Sequence, residues 1–134
     1  MAKVLKINHI AIAVPEINEA LVFWQDALGL KLSHTEDVPS QKSKVGFVPI
    51  SDSEVELVQP TTSDSGLAKY IEKRGPGLHH ICLEVDNIEE MIAQLLEKGI
   101  HMIDETPNTL EGRKMAFIHP KSTGSVLVEL YQLI

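Results

Sequence analysis

Two histidines and two glutamates stand at matching places in this chain: His9 and His80, Glu56 and Glu129. Imidazole nitrogens and carboxylate oxygens together suit Zn, Co, Ni, Mn or Fe(II), and a mixed N/O set with open positions favours octahedral geometry. Taken singly, each has a plainer reading. A lone strand histidine is more often a packed or surface residue, and a lone strand glutamate is more often solvated. The combination differs, because four inward polar groups at equivalent positions of a repeat need a compensating partner. A divalent cation is such a partner, so His9, Glu56, His80 and Glu129 are the candidate metal ligands.

The elements that must position them come from that repeat. Asn8 to Leu21 reads NHIAIAVPEINEAL, and His79 to Ile92 reads HHICLEVDNIEEMI. A shift of 71 positions (9 to 80) aligns His9 with His80, Ile10 with Ile81, Val14 with Val85, Ile17 with Ile88 and Glu19 with Glu90. Downstream, Lys44-Val45-Gly46-Phe47-Val48 parallels Lys114-Met115-Ala116-Phe117-Ile118, and Val55-Glu56-Leu57 parallels Val128-Glu129-Leu130. Two halves, about 1–74 and 77–134, are versions of one supersecondary unit, with Gly75-Pro76-Gly77 as the hinge.

Each half reads as βαβββ. The β-branched run from Lys6 to Val14 predicts a strand, and Pro15 suits the first turn of the following helix. Ile17, Ala20, Leu21, Trp24 and Leu28 recur at helical spacing, and Gly29 ends that helix. In the second half Asp86 and Glu89 read as a capping pair, Ile88, Met91, Ile92 and Leu95 as the apolar stripe, and Gly99 as the stop. Shorter strands are expected near Lys31–Glu36, Lys44–Ile50 and Val55–Gln59, and again near His101–Asp104, Lys114–His119 and Val126–Leu130. Leu67, Tyr70 and Ile71 predict a short helix before the hinge. The expected fold is α+β: two tandem βαβββ modules in a single domain, residues 1–134, with curved mixed sheets enclosing a metal-containing cleft.

Strand alternation sorts the side chains. Ile10, Ile12 and Val14 should pack under the helix, leaving His9, Ala11 and Ala13 on the open face. Likewise Ile81, Leu83 and Val85 go under the second helix, leaving His80, Cys82 and Glu84 open. Val126, Val128 and Leu130 turn inward and send Glu129 to the open face, as Val55 and Leu57 do for Glu56. Cys82 reads as a small packed residue, since no neighbour suggests activation. Trp24, Tyr70 and Phe47 read as core, and His34 and His101 have no evident partner.

Composition narrows the class. The chain has 134 residues with 19 acidic and 12 basic, a formal charge of −7, and 43% apolar content, as one globular domain would. The acidic balance argues against nucleic acid and against an anionic membrane surface. One cysteine permits no internal disulfide, so a reducing, cytoplasmic setting is expected. No apolar run approaches the roughly 18 residues of a membrane span. No GxGxxG, Walker loop, CxxC or nucleophile elbow is present.

The doubled βαβββ unit with His…Glu…His…Glu resembles the vicinal oxygen chelate superfamily, which includes glyoxalase I, extradiol dioxygenases and antibiotic-resistance proteins. Within it the chain looks like the methylmalonyl-CoA epimerases. The likeness is carried by Asn8–Pro15, by Gly77–Ile88 with its His79-His80 pair, and by His119-Pro120-Lys121-Ser122 continuing to Val126-Leu127-Val128-Glu129-Leu130. By position it implies His9, His80 and Glu129 as metal ligands with Glu56 in the fourth place, as ligand, base or both. Some members carry a further glutamate on the third strand of the first half; Lys44–Val48 contains no acid.

What the likeness implies is epimerisation of (2R)- and (2S)-methylmalonyl-CoA through a metal-stabilised enolate, with Glu129 and Glu56 as the bases on opposite faces of C2 and Glu129 the first choice. A divalent cofactor is expected, Co²⁺ first, with Mn²⁺, Ni²⁺ or Zn²⁺ as the others. A CoA thioester substrate and a homodimer are expected too, and Lys121, Arg113 and Lys114 are candidates for the CoA phosphates. The rival readings are a glyoxalase I-type lactoylglutathione lyase, an Fe(II) extradiol dioxygenase, a non-catalytic drug-binding protein, and a purely structural hydrogen-bond network.

Overall fold

A computed structural model describes all residues, Met1–Ile134. The chain divides into two compact units, one made of Met1–His9 with His80–Ile134 and the other of Ile10–His79. Secondary structure follows the doubled plan: β1 (Val4–Ala13), α1 (Ile17–Leu21), β2 (His34–Val38), β3 (Ser43–Ile50), β4 (Ser53–Pro60), α2 (Gly66–Arg74), β5 (Gly77–Val85), α3 (Ile88–Glu97), β6 (Asn108–Leu110), β7 (Arg113–Ile118) and β8 (Val128–Leu133). This is an α+β fold. Strand β1 contributes Val4–His9 to the first unit and Ile10–Ala13 to the second.

In the first unit the strands run in the order β1-β5-β8-β7-β6. Strands β5 and β8 are parallel, with Cys82 opposite Glu129, whereas β7 and β8 are antiparallel, with Phe117 opposite Glu129. Helix α3 covers one face. Its Ile88, Met91 and Ile92 are buried and pack with Val85, Ala116, Ile118 and Leu130, the i, i+3, i+4 pattern that the sequence predicts. Full burial of a side chain such as Ile88 or Leu130 stabilises by roughly 1.5–3 kcal/mol. In the second unit the order is β2-β3-β4-β1, antiparallel between β2, β3 and β4, and Val14, Ile17, Leu21, Val48, Val55 and Leu57 form its core.

Several expectations move by a residue or more. Pro15 lies ahead of the helix rather than in its first turn, because Glu16 stays extended as the cap residue (φ −145°, ψ 129°). The α-helical hydrogen bonding stops at Leu21 and continues as a wider π-helical stretch, Val22–Ala27, so the apolar spacing to Leu28 spans two helix types. The second cap is Asn87, whose Oδ1 accepts the Glu90 N–H at 3.0 Å; Asp86 instead accepts the Lys3 N–H at 2.9 Å. No strand forms over His101–Asp104: only Met102 bridges to Ile118, and the short strand falls at Asn108–Leu110. The last strand starts at Val128 rather than Val126. Ile81 and Leu83 are half-buried and stand outside the core cluster, whereas Cys82 is fully buried.

One feature of the repeat went unread in the sequence. Gln59 Oε1 accepts the Ile17 N–H at 2.8 Å, and Gln132 Oε1 accepts the Ile88 N–H at 2.7 Å. Each glutamine stands three residues after the glutamate of its module (56 to 59, 129 to 132) and satisfies a donor at the N-terminus of the helix that its strand packs beneath.

Candidate metal centre

Three of the four expected ligands converge, and all three belong to the first unit. His9 comes from β1, His80 from β5 and Glu129 from β8. Glu129 Oε1 lies 3.1 Å from His80 Nε2 and 3.3 Å from His9 Nε2, and the two Nε2 atoms are 3.3 Å apart. His9 and Glu129 are buried, only 5% and 6% exposed, and His80 is half-buried. Phe117 meets the His80 ring edge-to-face at 5.5 Å, and Tyr131 meets the His9 ring at 6.1 Å. These aromatic walls limit where each imidazole can swing.

The triangle suits a divalent ion. Donors about 2.1 Å from a common centre lie roughly 3.0 Å apart when octahedral neighbours and roughly 3.4 Å apart when tetrahedral, and the observed edges fall in that interval. Two imidazole nitrogens and a carboxylate oxygen are also the donor types such an ion takes.

Charge in the site is polarised. Burial raises the Glu129 carboxyl, but the hydrogen bonds and positive charge of His80 and His9 outweigh it and bring its pKa down to about 2. Glu129 is therefore anionic at neutral pH and strongly held.

Cys82 belongs in this description as well. Its sulfur and the ligand atoms of His9 and Glu129 all lie within 4.8 Å of one another. The residue is packed, as the sequence predicts, yet it borders the candidate metal ligands. The signal was present in the alternation, since Cys82 follows His80 by two positions. Asn8 was also missed: its Oδ1 lies 2.7 Å from His9 Nδ1, and its Nδ2 donates to Glu84 Oε1 at 3.0 Å.

Glu56 sits in the second unit, half-buried on β4 and opposite Phe47 of β3. Among the other candidates, Lys114 pairs with Glu89 at 2.6 Å and the Arg113 guanidinium lies over the Tyr131 ring at 5.9 Å. His119 is a turn residue, its Nδ1 accepting the Lys121 N–H at 3.0 Å. His34 does have partners, stacking on Phe47 at 4.4 Å and approaching Glu36 at 3.4 Å. No helix is long and apolar enough to cross a membrane.

A family model described as the Glyoxalase/Bleomycin resistance protein/Dioxygenase superfamily matches residues 8–117. The chain belongs to that superfamily. Its relatives at 33–38% identity include methylmalonyl-CoA epimerases. The mitochondrial methylmalonyl-CoA epimerase of Mus musculus is 38% identical over 132 residues, covering 97% of this chain and 74% of the relative. Among solved structures, a hypothetical protein from Bacillus halodurans superposes with a TM-score of 0.90 at 42% identity, covering 96% of this chain and 94% of that one. A methylmalonyl-CoA epimerase in complex with methylmalonyl-CoA and NH4+ superposes with a TM-score of 0.86 at 29% identity, covering 98% and 96%.

Proposed function

We propose that this protein is a metal-dependent epimerase interconverting (2R)- and (2S)-methylmalonyl-CoA. The observation that carries the reading is the convergence of His9 Nε2, His80 Nε2 and Glu129 Oε1, each 3.1–3.3 Å from the others, in a chain 38% identical to a mammalian methylmalonyl-CoA epimerase. In this reading residues 1–134 act as one vicinal-oxygen-chelate domain of two modules, about 1–74 and 77–134.

His9, His80 and Glu129 hold the cation, with Glu56 assigned to the fourth place. A divalent ion bound there supplies Lewis-acid stabilisation for the negative charge that develops on the thioester oxygen as the C2 proton leaves. Cobalt, manganese, nickel and zinc all suit two imidazoles and a carboxylate. Proton transfer falls to the carboxylates Glu56 and Glu129, one for each face of C2. General acid–base catalysis of this kind contributes on the order of 10²–10⁴-fold. A carboxylate that holds the cation is a feeble base, so Glu129 serves only as its bond to the ion lengthens or breaks. Phe117 and Tyr131 pack their rings against His80 and His9 beside the fully buried Cys82, and such a low-dielectric wall strengthens each of these interactions.

The test follows the C2 proton of methylmalonyl-CoA by NMR in D₂O, with metal-loaded and chelator-stripped protein. Loss of that signal, metal-dependent and much faster than background, is the expected result. Absence of exchange with all of cobalt, manganese, nickel and zinc overturns the proposal. Turnover of methylglyoxal with glutathione would instead favour the lactoylglutathione lyase reading.

A further inference from the structure

Asn8 and His9 are neighbours in sequence, and their side chains are joined by a contact whose direction the next residue out decides. Glu84 Oε1 lies 3.0 Å from Asn8 Nδ2. A carboxylate only accepts, so the amide must present its NH₂ to Glu84. That fixes the other end of the amide: Oδ1, an acceptor, faces His9 Nδ1 at 2.7 Å. His9 Nδ1 must then carry hydrogen in every state of the ring, so in the neutral ring, where Nε2 no longer donates to Glu129, the lone pair falls on Nε2. Nε2 is the atom that lies 3.3 Å from both Glu129 Oε1 and His80 Nε2.

We infer that Glu84 and Asn8 form a two-step relay that holds His9 in its Nδ1–H tautomer and aims the Nε2 lone pair at the metal centre. The relay lies wholly within the first unit. Neither residue touches the converging atoms, so both are positioning residues. His80 has no counterpart of Asn8 before it, since His79 occupies that place and packs on Tyr70 at 4.7 Å. The two histidines are thus held differently despite their equivalence in the repeat. The inference rests on the metal-binding reading above only for its consequence; the tautomer itself is a property of the metal-free protein.

Long-range ¹H–¹⁵N correlation of the full-length, metal-free protein tests it. At the upper plateau of a pH titration, His9 Nδ1 should show the pyrrole-type shift of a protonated nitrogen and Nε2 the pyridine-type shift. Asn8→Leu and Glu84→Leu should each move the ring to a tautomer mixture and weaken the Kd for Co²⁺ and Zn²⁺ by about 10–100-fold, the usual effect of losing an outer partner. The double variant Asn8→Asp/Glu84→Gln exchanges which side carries the charge while keeping an acceptor on His9. It should recover the tautomer and most of the affinity. An Nε2–H tautomer in the wild-type protein overturns the inference without any variant. So does an unchanged tautomer in Glu84→Leu. If the wild-type protein binds neither metal while the tautomer responds as described, the relay stands and the proposed function fails.

Discussion

His9 Nε2 and His80 Nε2 face each other at 3.3 Å, with Glu129 Oε1 at 3.1 and 3.3 Å from the pair. Two neutral imidazoles can share one hydrogen bond between these nitrogens, and the carboxylate adds only acceptors. Each imidazole facing the carboxylate must therefore do so through an N–H or through a shared cation.

Removing one corner of the triangle should abolish tight binding. His80→Ala is expected to weaken the Kd for Co²⁺ by more than about 100-fold, beyond what loss of an outer partner costs. Glu56→Gln separates two roles in the same assay. A fall of about 10²–10⁴-fold in C2 exchange with an unchanged Kd identifies Glu56 as a base. A Kd weakened along with exchange identifies it as a ligand.

Acid should release Glu129 late. Its folded pKa lies at about 2, below the ordinary value of 4.5, so the stability it confers is complete above about 4.5 and is lost as pH falls through 2. The contribution is on the order of 3 kcal/mol. Urea midpoints of metal-free protein between pH 5 and pH 2 should fall more steeply for wild type than for Glu129→Gln. Parallel curves would remove the paired-carboxylate account.

The two glutamines at the helix starts should matter individually. Gln132→Ala leaves the Ile88 N–H without its acceptor beside a fully buried side chain, and about 1–3 kcal/mol of stability should be lost. Gln59→Ala is its counterpart in the other module, at Ile17. Denaturant titration reads both, and a loss under about 0.5 kcal/mol would indicate that water replaces the side chain.

Gly46 is the repeat equivalent of Ala116, yet the two are not exchangeable. A Cβ at Gly46 would lie 3.1 Å from Ile17 Cγ2 and 3.2 Å from Leu32 Cδ1, whereas Ala116 is fully buried with its methyl accommodated. Gly46→Ala should destabilise by about 1–3 kcal/mol through overpacking. Thermal unfolding measures this, and an unchanged Tm would mean that Leu32 moves aside freely.

The sequence by itself determined a good deal here. Period-two alternation correctly sends Val85 and Leu130 to the core, but it misplaces burial elsewhere on β1 and β5, where Ala11, Ala13 and Cys82 of the side read as open are fully buried and Ile81 and Leu83 are not. The repeat announced both helices, since Ile17 and Ile88 begin equivalent apolar stripes. Boundaries were less legible. Asp86 and Asn87 are both good cap residues, and the choice fell to Asn87 because the Lys3 N–H takes Asp86, a partner 83 positions away (86 minus 3). The second-module strand near His101 failed for a related reason: after Gly99 the chain makes one bridge, Met102 to Ile118, before its pairing resumes at Asn108. Alternation also could not say that Asn8 would turn its amide onto its own neighbour, because that orientation depends on Glu84, brought near only by the sheet. Local chemistry selects which residues share a face. Distances of 3 Å between groups far apart in sequence are set by strand register, and register is a property of the folded sheet.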